Sequence, residues 1–159
     1  MRKPLLAALL CCIAVTARAD GPESLFAATL SDLADKPVQL SAYKGKPLMV
    51  NFWARWCGPC RDEIPDLVKV RTKRKDVEMI GIAVEDNTEG VRDFAKAYDI
   101  NYPVLVAKNK GIWLMQALGN GGAGLPFTVV IDRQGNIVTR KLGPMKQADV
   151  EAAFQQALK

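Results

Sequence analysis

Two cysteines separated by two residues, Cys57 and Cys60, are the side chains of this sequence best suited to chemistry. Two thiols at this spacing can cycle between a dithiol and a disulfide, because one thiolate attacks a foreign disulfide and the other resolves the mixed disulfide. An inert structural disulfide is the alternative, but it would close a very short loop and would constrain the unfolded chain only weakly. The spacing therefore favours redox chemistry.

The elements that must position this pair are a buried strand before it and a helix after it. The nearly continuous apolar run Leu48–Trp53 predicts a central strand covered on both faces. After Cys60, apolar residues at helical spacing, among them Ile64 and Leu67, predict a helix. At its N-terminus, unpaired backbone N–H groups and the helix dipole would lower the pKa of the Cys57 thiol. We expect Cys57 to be exposed and attacking, and Cys60 to be shielded and resolving.

Strands and helices alternate along the rest of the chain. Strand–helix–strand crossovers predict parallel pairing, and the final hairpin adds an antiparallel pair. The sequence thus predicts an α/β fold with a mixed central β-sheet flanked by helices, in which a Cys-x-x-Cys motif indicates a thioredoxin-like redox fold. The further predicted elements are strands at Val38–Leu40, Val77–Val84, Tyr102–Val106, Phe127–Ile131 and Ile137–Leu142, and helices at Asn87–Tyr98, Lys110–Leu118 and Val150–Leu158.

The first residues have the pattern of a secretory signal peptide. The basic pair Arg2-Lys3 precedes the apolar run Leu5–Val15, and Ala17–Ala19 offers a small-x-small cleavage motif. This run is shorter than the roughly 20 apolar residues that span a bilayer. We predict a signal peptide at 1–19, cleaved after Ala19, and one domain at 20–159. A retained membrane anchor is the alternative.

Composition excludes several classes of site and partner. The chain has no histidine, which excludes histidine metal ligands and histidine general bases. Its remaining cysteines, Cys11 and Cys12, lie in the predicted signal peptide, so we expect no metal and no other cofactor. The formal charge of +5 falls to +2 without Arg2, Lys3 and Arg18, which gives no reason to expect nucleic acid binding. We expect a monomer.

Three stretches resemble the thioredoxin superfamily, and within it the periplasmic TlpA/ResA/DsbE group: Gln39–Pro47, Val50–Pro65 and Gly124–Asp132. The resemblance implies a thioredoxin-like fold in which Asn87–Tyr98 is the TlpA-type inserted helix. It also implies that Cys57 and Cys60 are the catalytic thiols.

The resemblance further implies a catalytic cis proline at Pro126, where the residues alone would favour an ordinary trans bond. A cis proline would leave the backbone of Leu125 free to pair with an extended substrate. We predict that Trp56, Gly58 and Pro59 complete the substrate-binding surface, since they flank or separate the cysteines.

Two acidic residues are further candidates. Glu63 stands where TlpA-like reductases often carry a glutamate, and Asn51 stands where thioredoxins usually have a buried aspartate. This implies that Glu63 is buried, with a raised pKa, and exchanges protons with Cys60; an exposed helix residue is the alternative. Glu85 follows a strand that should end on the same sheet edge as Cys57, so it could touch substrate or lie in a solvated loop.

These features predict a reductase of disulfides in exported proteins, with apocytochrome c in cytochrome c maturation as one candidate substrate. The Gly58-Pro59 dipeptide matches that of thioredoxin, a strong reductant at about −270 mV. Family resemblance implies recharging by a membrane thiol electron donor of the DsbD or CcdA type. A disulfide oxidase or isomerase is the alternative. A thiol-based copper-binding chaperone would belong to a different class and lacks the histidine ligand expected of it.

Overall fold

The computed structural model describes residues 21–159, so the predicted signal peptide lies outside the described residues. Two short 3-10 helices occur at Leu40–Tyr43 and Lys108–Lys110. The strands are β1 (Thr29–Asp32), β2 (Pro37–Gln39), β3 (Leu48–Trp53), β4 (Glu78–Ala83), β5 (Val104–Val106), β6 (Phe127–Ile131) and β7 (Ile137–Leu142). The α-helices are α1 (Pro22–Phe26), α2 (Gly58–Lys73), α3 (Thr88–Ala97), α4 (Gly111–Ala117) and α5 (Gln147–Ala157).

The strands form one mixed sheet in the order β2-β1-β5-β4-β3-β6-β7. Parallel pairing joins β3 to β4 and β4 to β5, while β6 lies antiparallel to both β3 and β7. This confirms the predicted mixed sheet. Strand β1, which pairs with both β2 and β5, was not predicted. Only Leu30 of its four residues is buried. The sequence therefore shows neither the alternating pattern nor the continuous apolar run that would predict a strand.

Helices cover both faces of the sheet, as predicted. One face packs against α1 and α4, and the opposite face packs against α2, α3 and α5. Residues of β3 alternate between the two, with Leu48, Val50 and Phe52 on the α1/α4 side. Every residue of β3 is buried, which explains why this strand is apolar along its whole length.

The redox motif lies at the end of this central strand. Helix α2 begins at Gly58, with Cys57 as its N-cap and Pro59 in its first turn. Proline suits that place because its missing N–H would have no helical partner there. Helix α3 begins after Asn87, whose side-chain oxygen accepts a hydrogen bond from the Gly90 N–H at 2.9 Å, and it fills the position predicted for the inserted helix.

Several predicted boundaries shift. Leu40 opens a 3-10 helix instead of ending a strand, and α5 begins at Gln147, three residues before the predicted Val150. Within residues 21–159, no helix is both long enough and apolar enough to cross a bilayer.

Candidate active site

Cys57 and Cys60 form a disulfide across the first turn of α2, with their Cα atoms 5.3 Å apart. The Sγ atom of Cys57 accepts a hydrogen bond from the Cys60 N–H at 3.2 Å. This N–H belongs to the first turn, where backbone donors have no helical partner. A reduced Cys57 would find there both a hydrogen-bond donor and the positive end of the helix dipole, which favour its thiolate.

The sulfurs are less accessible than expected. Cys57 is 6% exposed and Cys60 is fully buried, so the prediction of an exposed Cys57 is wrong for the disulfide form. The reason is that both cysteines belong to an apolar cluster against which Leu125 packs. The order of access still holds, since a substrate approaching from solvent meets Cys57 first.

An exposed rim surrounds Cys57. The Trp56 side chain is 71% exposed, Pro59 is exposed and Gly58 is half-buried. An indole held this far out of the core offers a substrate a large flat apolar surface.

The loop before β6 forms the other wall. The Leu125–Pro126 peptide bond is cis, and Leu125 packs against the cluster that contains both cysteines. Phe127 pairs with Phe52 near the end of β3, so the loop lies at the same end of the sheet as Cys57. Asn120 stabilises this loop, because its Nδ2 donates a hydrogen bond to the Gly124 carbonyl at 2.8 Å.

Glu63 lies one helical turn after Cys60 and is completely buried. Its Oε1 accepts a hydrogen bond from Asn51 Nδ2 at 2.6 Å, and its Oε2 accepts one from the Met145 N–H at 2.9 Å. The structure therefore does not place Glu63 on an exposed helix face. Both carboxylate oxygens have partners, as a buried ionisable group requires.

Burial raises the pKa of Glu63 to about 7, although the Met145 N–H, the Asn51 amide and the charge of Lys146 act in the opposite direction. Removing the carboxylate from water penalises its charged form more than these neighbours compensate. Near neutral pH the group is therefore present in both protonation states. A buried acid with that pKa, one turn from Cys60, is a candidate for proton exchange with the resolving thiol.

Thr128 is a member of this cluster that sequence reasoning missed. Its Oγ1 accepts a second hydrogen bond from Asn51 Nδ2 at 3.0 Å, and the two residues are directly paired between β3 and β6. The sequence signal that could have identified Thr128 is a single hydroxyl residue in the otherwise apolar strand β6. Met145 contacts Glu63 through its backbone N–H, so no pattern of side chains in the sequence predicts this contact.

Glu85 has a different environment from either one considered for it. Its carboxylate accepts hydrogen bonds from the backbone N–H of Arg55 and from Arg55 Nε, the latter at 2.8 Å. The Glu85 side chain is only 9% exposed. It thus ties the end of β4 to the loop that carries the redox motif, and its contact with substrate stays a prediction.

No group of three or more histidine, cysteine, aspartate or glutamate side chains in residues 21–159 is arranged to hold a metal ion. The described site consists of a disulfide, a buried acid and their neutral hydrogen-bond partners.

The Redoxin family model matches residues 21–157. The thiol-disulfide oxidoreductase ResA of Bacillus cereus (strain ZK / E33L) is 32% identical over 130 residues, which cover 80% of this chain and 72% of that relative.

Two solved structures extend the comparison. The crystal structure of a thioredoxin-family thiol:disulfide interchange protein from Chlorobium tepidum TLS is 34% identical, with a TM-score of 0.70 over 83% of this chain and 93% of that chain. The pneumococcal exposed lipoprotein thioredoxin Etrx1 from Streptococcus pneumoniae strain TIGR4 is 25% identical, with a TM-score of 0.67 over 80% of this chain and 97% of that chain.

The predicted thioredoxin-like fold and the predicted enzyme class are confirmed by these similarities together with the sheet and the Cys57–Cys60 disulfide. The chain belongs to the Redoxin family, in the ResA/DsbE-like part of the thioredoxin superfamily, and is a thiol-disulfide oxidoreductase.

Proposed function

We propose that this oxidoreductase is a reductase of disulfides in exported proteins. The direction is supported by the Gly58-Pro59 dipeptide, which matches that of the strong reductant thioredoxin. The observation that carries the exchange chemistry is the buried Glu63, with its pKa raised to about 7, one turn behind Cys60. A resolving thiol shielded from water must lose its proton before it can attack, and Glu63 is an acceptor of suitable pKa in the same interior.

The reaction begins with reduced Cys57. Its thiolate attacks one sulfur of the substrate disulfide, the substrate S–S bond breaks, and the departing substrate thiolate takes a proton from solvent. A mixed disulfide now joins Cys57 to the other substrate sulfur. The Cys60 thiolate then attacks Cys57 Sγ and expels the second substrate sulfur as a thiolate, which takes a proton from solvent. Two electrons have then passed from the dithiol to the substrate, and the Cys57–Cys60 disulfide remains.

Glu63 handles the proton of the second step. In its ionised form it accepts the Cys60 proton as the resolving attack begins. When an electron donor reduces the disulfide again, protonated Glu63 returns that proton to Cys60. The acid is thus restored in each cycle, and the Asn51 and Met145 donors hold its two oxygens in place meanwhile.

Substrate recognition is proposed for the rim and the proline loop. An extended segment on either side of the substrate cysteine would pair with the backbone of Leu125, which Pro126 presents beside Cys57. Trp56, Gly58 and Pro59 would contact the opposite side of that segment. The apolar rim is small. It therefore suits unfolded or flexible segments that contain a cysteine better than it suits a rigid partner surface.

The proposed location is the periplasm. The signal-peptide pattern of residues 1–19 supports export, and the pneumococcal relative is an exposed lipoprotein. In an oxidising compartment the dithiol needs a source of electrons. A membrane thiol electron donor of the DsbD or CcdA type is the proposed partner, and apocytochrome c is one candidate among the exported substrates.

Trapping tests the proposed substrate class. A Cys60→Ala variant, expressed in its native compartment, can form the mixed disulfide through Cys57 but cannot resolve it. We expect adducts with a small set of exported, cysteine-containing proteins, released by dithiothreitol. The matched control is the Cys57→Ala/Cys60→Ala double variant, which should retain none. Absence of adducts, under conditions in which a known reductase yields them, would contradict the proposal.

Equilibration with glutathione tests the direction. We expect a reduction potential near that of thioredoxin, about −270 mV, and well below that of the oxidant DsbA, about −120 mV. A value near the latter would identify an oxidase that uses the same two thiols.

A further inference from the structure

The hydrogen-bond ladder between β3 and β4 ends just before the redox motif. Trp53 is paired with Ala83, and its carbonyl accepts a hydrogen bond from the Val84 N–H at 2.9 Å. In a parallel ladder the next donor from the β3 side would be the Arg55 N–H, which would reach a backbone carbonyl of β4 or of the residue after it. It donates instead to the carboxylate of Glu85. A side chain therefore replaces a strand carbonyl at the point where the chain leaves the sheet.

The same carboxylate also holds the Arg55 side chain. Arg55 Nε donates to Glu85 Oε2 at 2.8 Å, so the backbone and the side chain of Arg55 are both bound to one carboxylate. The side chains are 36% exposed for Arg55 and 9% exposed for Glu85. Charge-assisted hydrogen bonds are stronger than neutral ones, and partial shielding from water strengthens them further. The two contacts together fix Arg55 to the end of β4.

Helix α3 leaves room for the Arg55 guanidinium at Gly90. A methyl group at this position would overlap Arg55 Nη1 and would lie 2.7 Å from Arg55 Cζ. Alanine is a better helix former than glycine, and Gly90 does not have the positive φ that would require glycine. The missing side chain therefore serves the neighbouring guanidinium, which lies against the first turn of α3.

Arg55 belongs to the turn that presents the redox motif. The Cys57 N–H donates to the Ala54 carbonyl at 3.1 Å, which closes the turn over residues 54–57. Trp56 is 71% exposed, so packing in the core does not determine the direction of its side chain. The contacts of Arg55 with Glu85 attach the middle of this turn to β4.

We propose that Glu85 is a positioning residue for the reduction of protein disulfides: through Arg55 it holds the turn so that Trp56 and the Cys57 sulfur face the same bound segment. Glu85 acts through Arg55 and need not touch the reacting sulfurs. A displacement of about 1 Å near a reacting centre can cost roughly 10²-fold in rate, so holding this turn has a measurable value. The inference rests on the substrate contact proposed for Trp56.

Glu85→Ala tests the inference in steady-state reduction of insulin, with dithiothreitol as electron source. We expect KM to rise roughly ten-fold while kcat stays within about two-fold, because productive binding is lost and the thiol chemistry is kept. The rate with the small disulfide dithionitrobenzoate should not fall, since an unpaired Arg55 cation near Cys57 would favour its thiolate. The matched control is Asp86→Ala, which removes the exposed acid next in the chain and should behave like the wild type.

A wild-type KM in Glu85→Ala, or an equal loss of rate with insulin and with the small disulfide, would overturn the inference. Glu85→Gln keeps an oxygen that can accept from the Arg55 N–H, so its KM should lie between those of wild type and Glu85→Ala. If Glu85→Gln were as impaired as Glu85→Ala, the role assigned to the backbone contact would be wrong.

The proposed substrate surface can fail separately, and Trp56→Ala distinguishes the two cases. An increased KM in Trp56→Ala with an unchanged KM in Glu85→Ala would overturn the positioning role alone. An unchanged KM in Trp56→Ala would first remove the substrate contact proposed for the indole.

Gly90→Ala tests the same inference without touching either charged residue. Its methyl group should displace the Arg55 guanidinium, while alanine should leave α3 at least as stable as before. We expect a slowly exchanging Arg55 Nε–H signal in the NMR spectrum of wild-type protein, and its loss in Gly90→Ala together with a smaller rise in KM. A wild-type KM in Gly90→Ala despite loss of that signal would overturn the role of the Arg55 side chain.

Discussion

The N-terminus of α2 and the buried site around Glu63, one turn further along the helix, are built differently. At the outer end, which we call the redox mouth, Trp56–Cys60 are contiguous in the sequence, and Trp56 and Pro59 meet the solvent beside the buried cysteines. At the inner end, the polar cluster of Asn51, Glu63, Thr128 and the Met145 N–H is drawn from β3, α2, β6 and the segment before α5, and it is fully enclosed.

The difference divides the chemistry into two tasks. The redox mouth supplies a sulfur that substrate can reach, stabilised as a thiolate by the helix N-terminus. The polar cluster holds an acid whose pKa burial raises to about 7. In the proposed mechanism, electrons are exchanged at the surface and the proton of the resolving thiol is exchanged inside.

The largest expected effect concerns the redox mouth alone. Cys57→Ser should lower disulfide-reductase turnover by roughly 10³-fold or more, because the attacking thiolate is lost. Thermal unfolding of this variant and of reduced wild-type protein should be similar. Insulin reduction with dithiothreitol as electron source measures the rate, and residual activity near that of the wild type would remove Cys57 from its proposed role.

The next effect concerns the polar cluster and appears in stability. The pKa of Glu63 is raised on folding from 4.5 to about 7, so the folded state binds the extra proton between those values. Its contribution is complete below pH 4.5 and is lost as the pH rises through 7, at a cost of roughly 3 kcal/mol to the free energy of unfolding.

Denaturant unfolding of the oxidised protein measures this effect. Relative to wild type, Glu63→Gln should gain stability from about pH 5 to about pH 7 and level off above that. Asp62→Asn changes an exposed acid on the same helix and provides the control. A constant difference between wild type and Glu63→Gln across that range would contradict a raised pKa.

The coupling of the two regions should appear in kinetics. Glu63→Gln should slow resolution of the mixed disulfide by roughly 10²-fold near pH 7, the usual contribution of a positioned acid or base. The first attack by Cys57 should change much less. Rapid-mixing measurements with a model disulfide separate the two steps, and equal slowing of both would indicate a general disturbance of the redox mouth.

The smallest expected effect tests how tightly the polar cluster is built. Thr128→Val keeps the shape of the side chain and removes the acceptor of one Asn51 hydrogen bond. We expect a loss of about 1 kcal/mol in the free energy of unfolding. Thr139→Val, on the neighbouring strand β7 and less buried, is the control; an equal effect there would mean that the Thr128 contact has no special value.

The same contrast explains how far the sequence could be interpreted. The strand before Cys57, the helix after it and the α/β sheet follow from local patterns, so they could be predicted. The burial of Cys57 could not, because it depends on Leu125 packing against the cysteines from the loop before β6. Thr128, the Met145 N–H and the capture of Glu85 by Arg55 likewise depend on contacts between distant segments.

Glu63 is intermediate between these cases. Family resemblance selected it, but helix periodicity alone could not distinguish a buried acid from an exposed one. The partners that make its burial tolerable come from β3 and from the chain before α5.

The most direct test of the whole account is the titration of Glu63 itself. Carbon NMR of its side-chain carboxyl in oxidised protein, assigned with Glu63→Gln, should give a pKa of about 7. A value close to that of an exposed glutamate, about 4.3, would mean that the interior does not hold a proton acceptor for Cys60 near neutral pH.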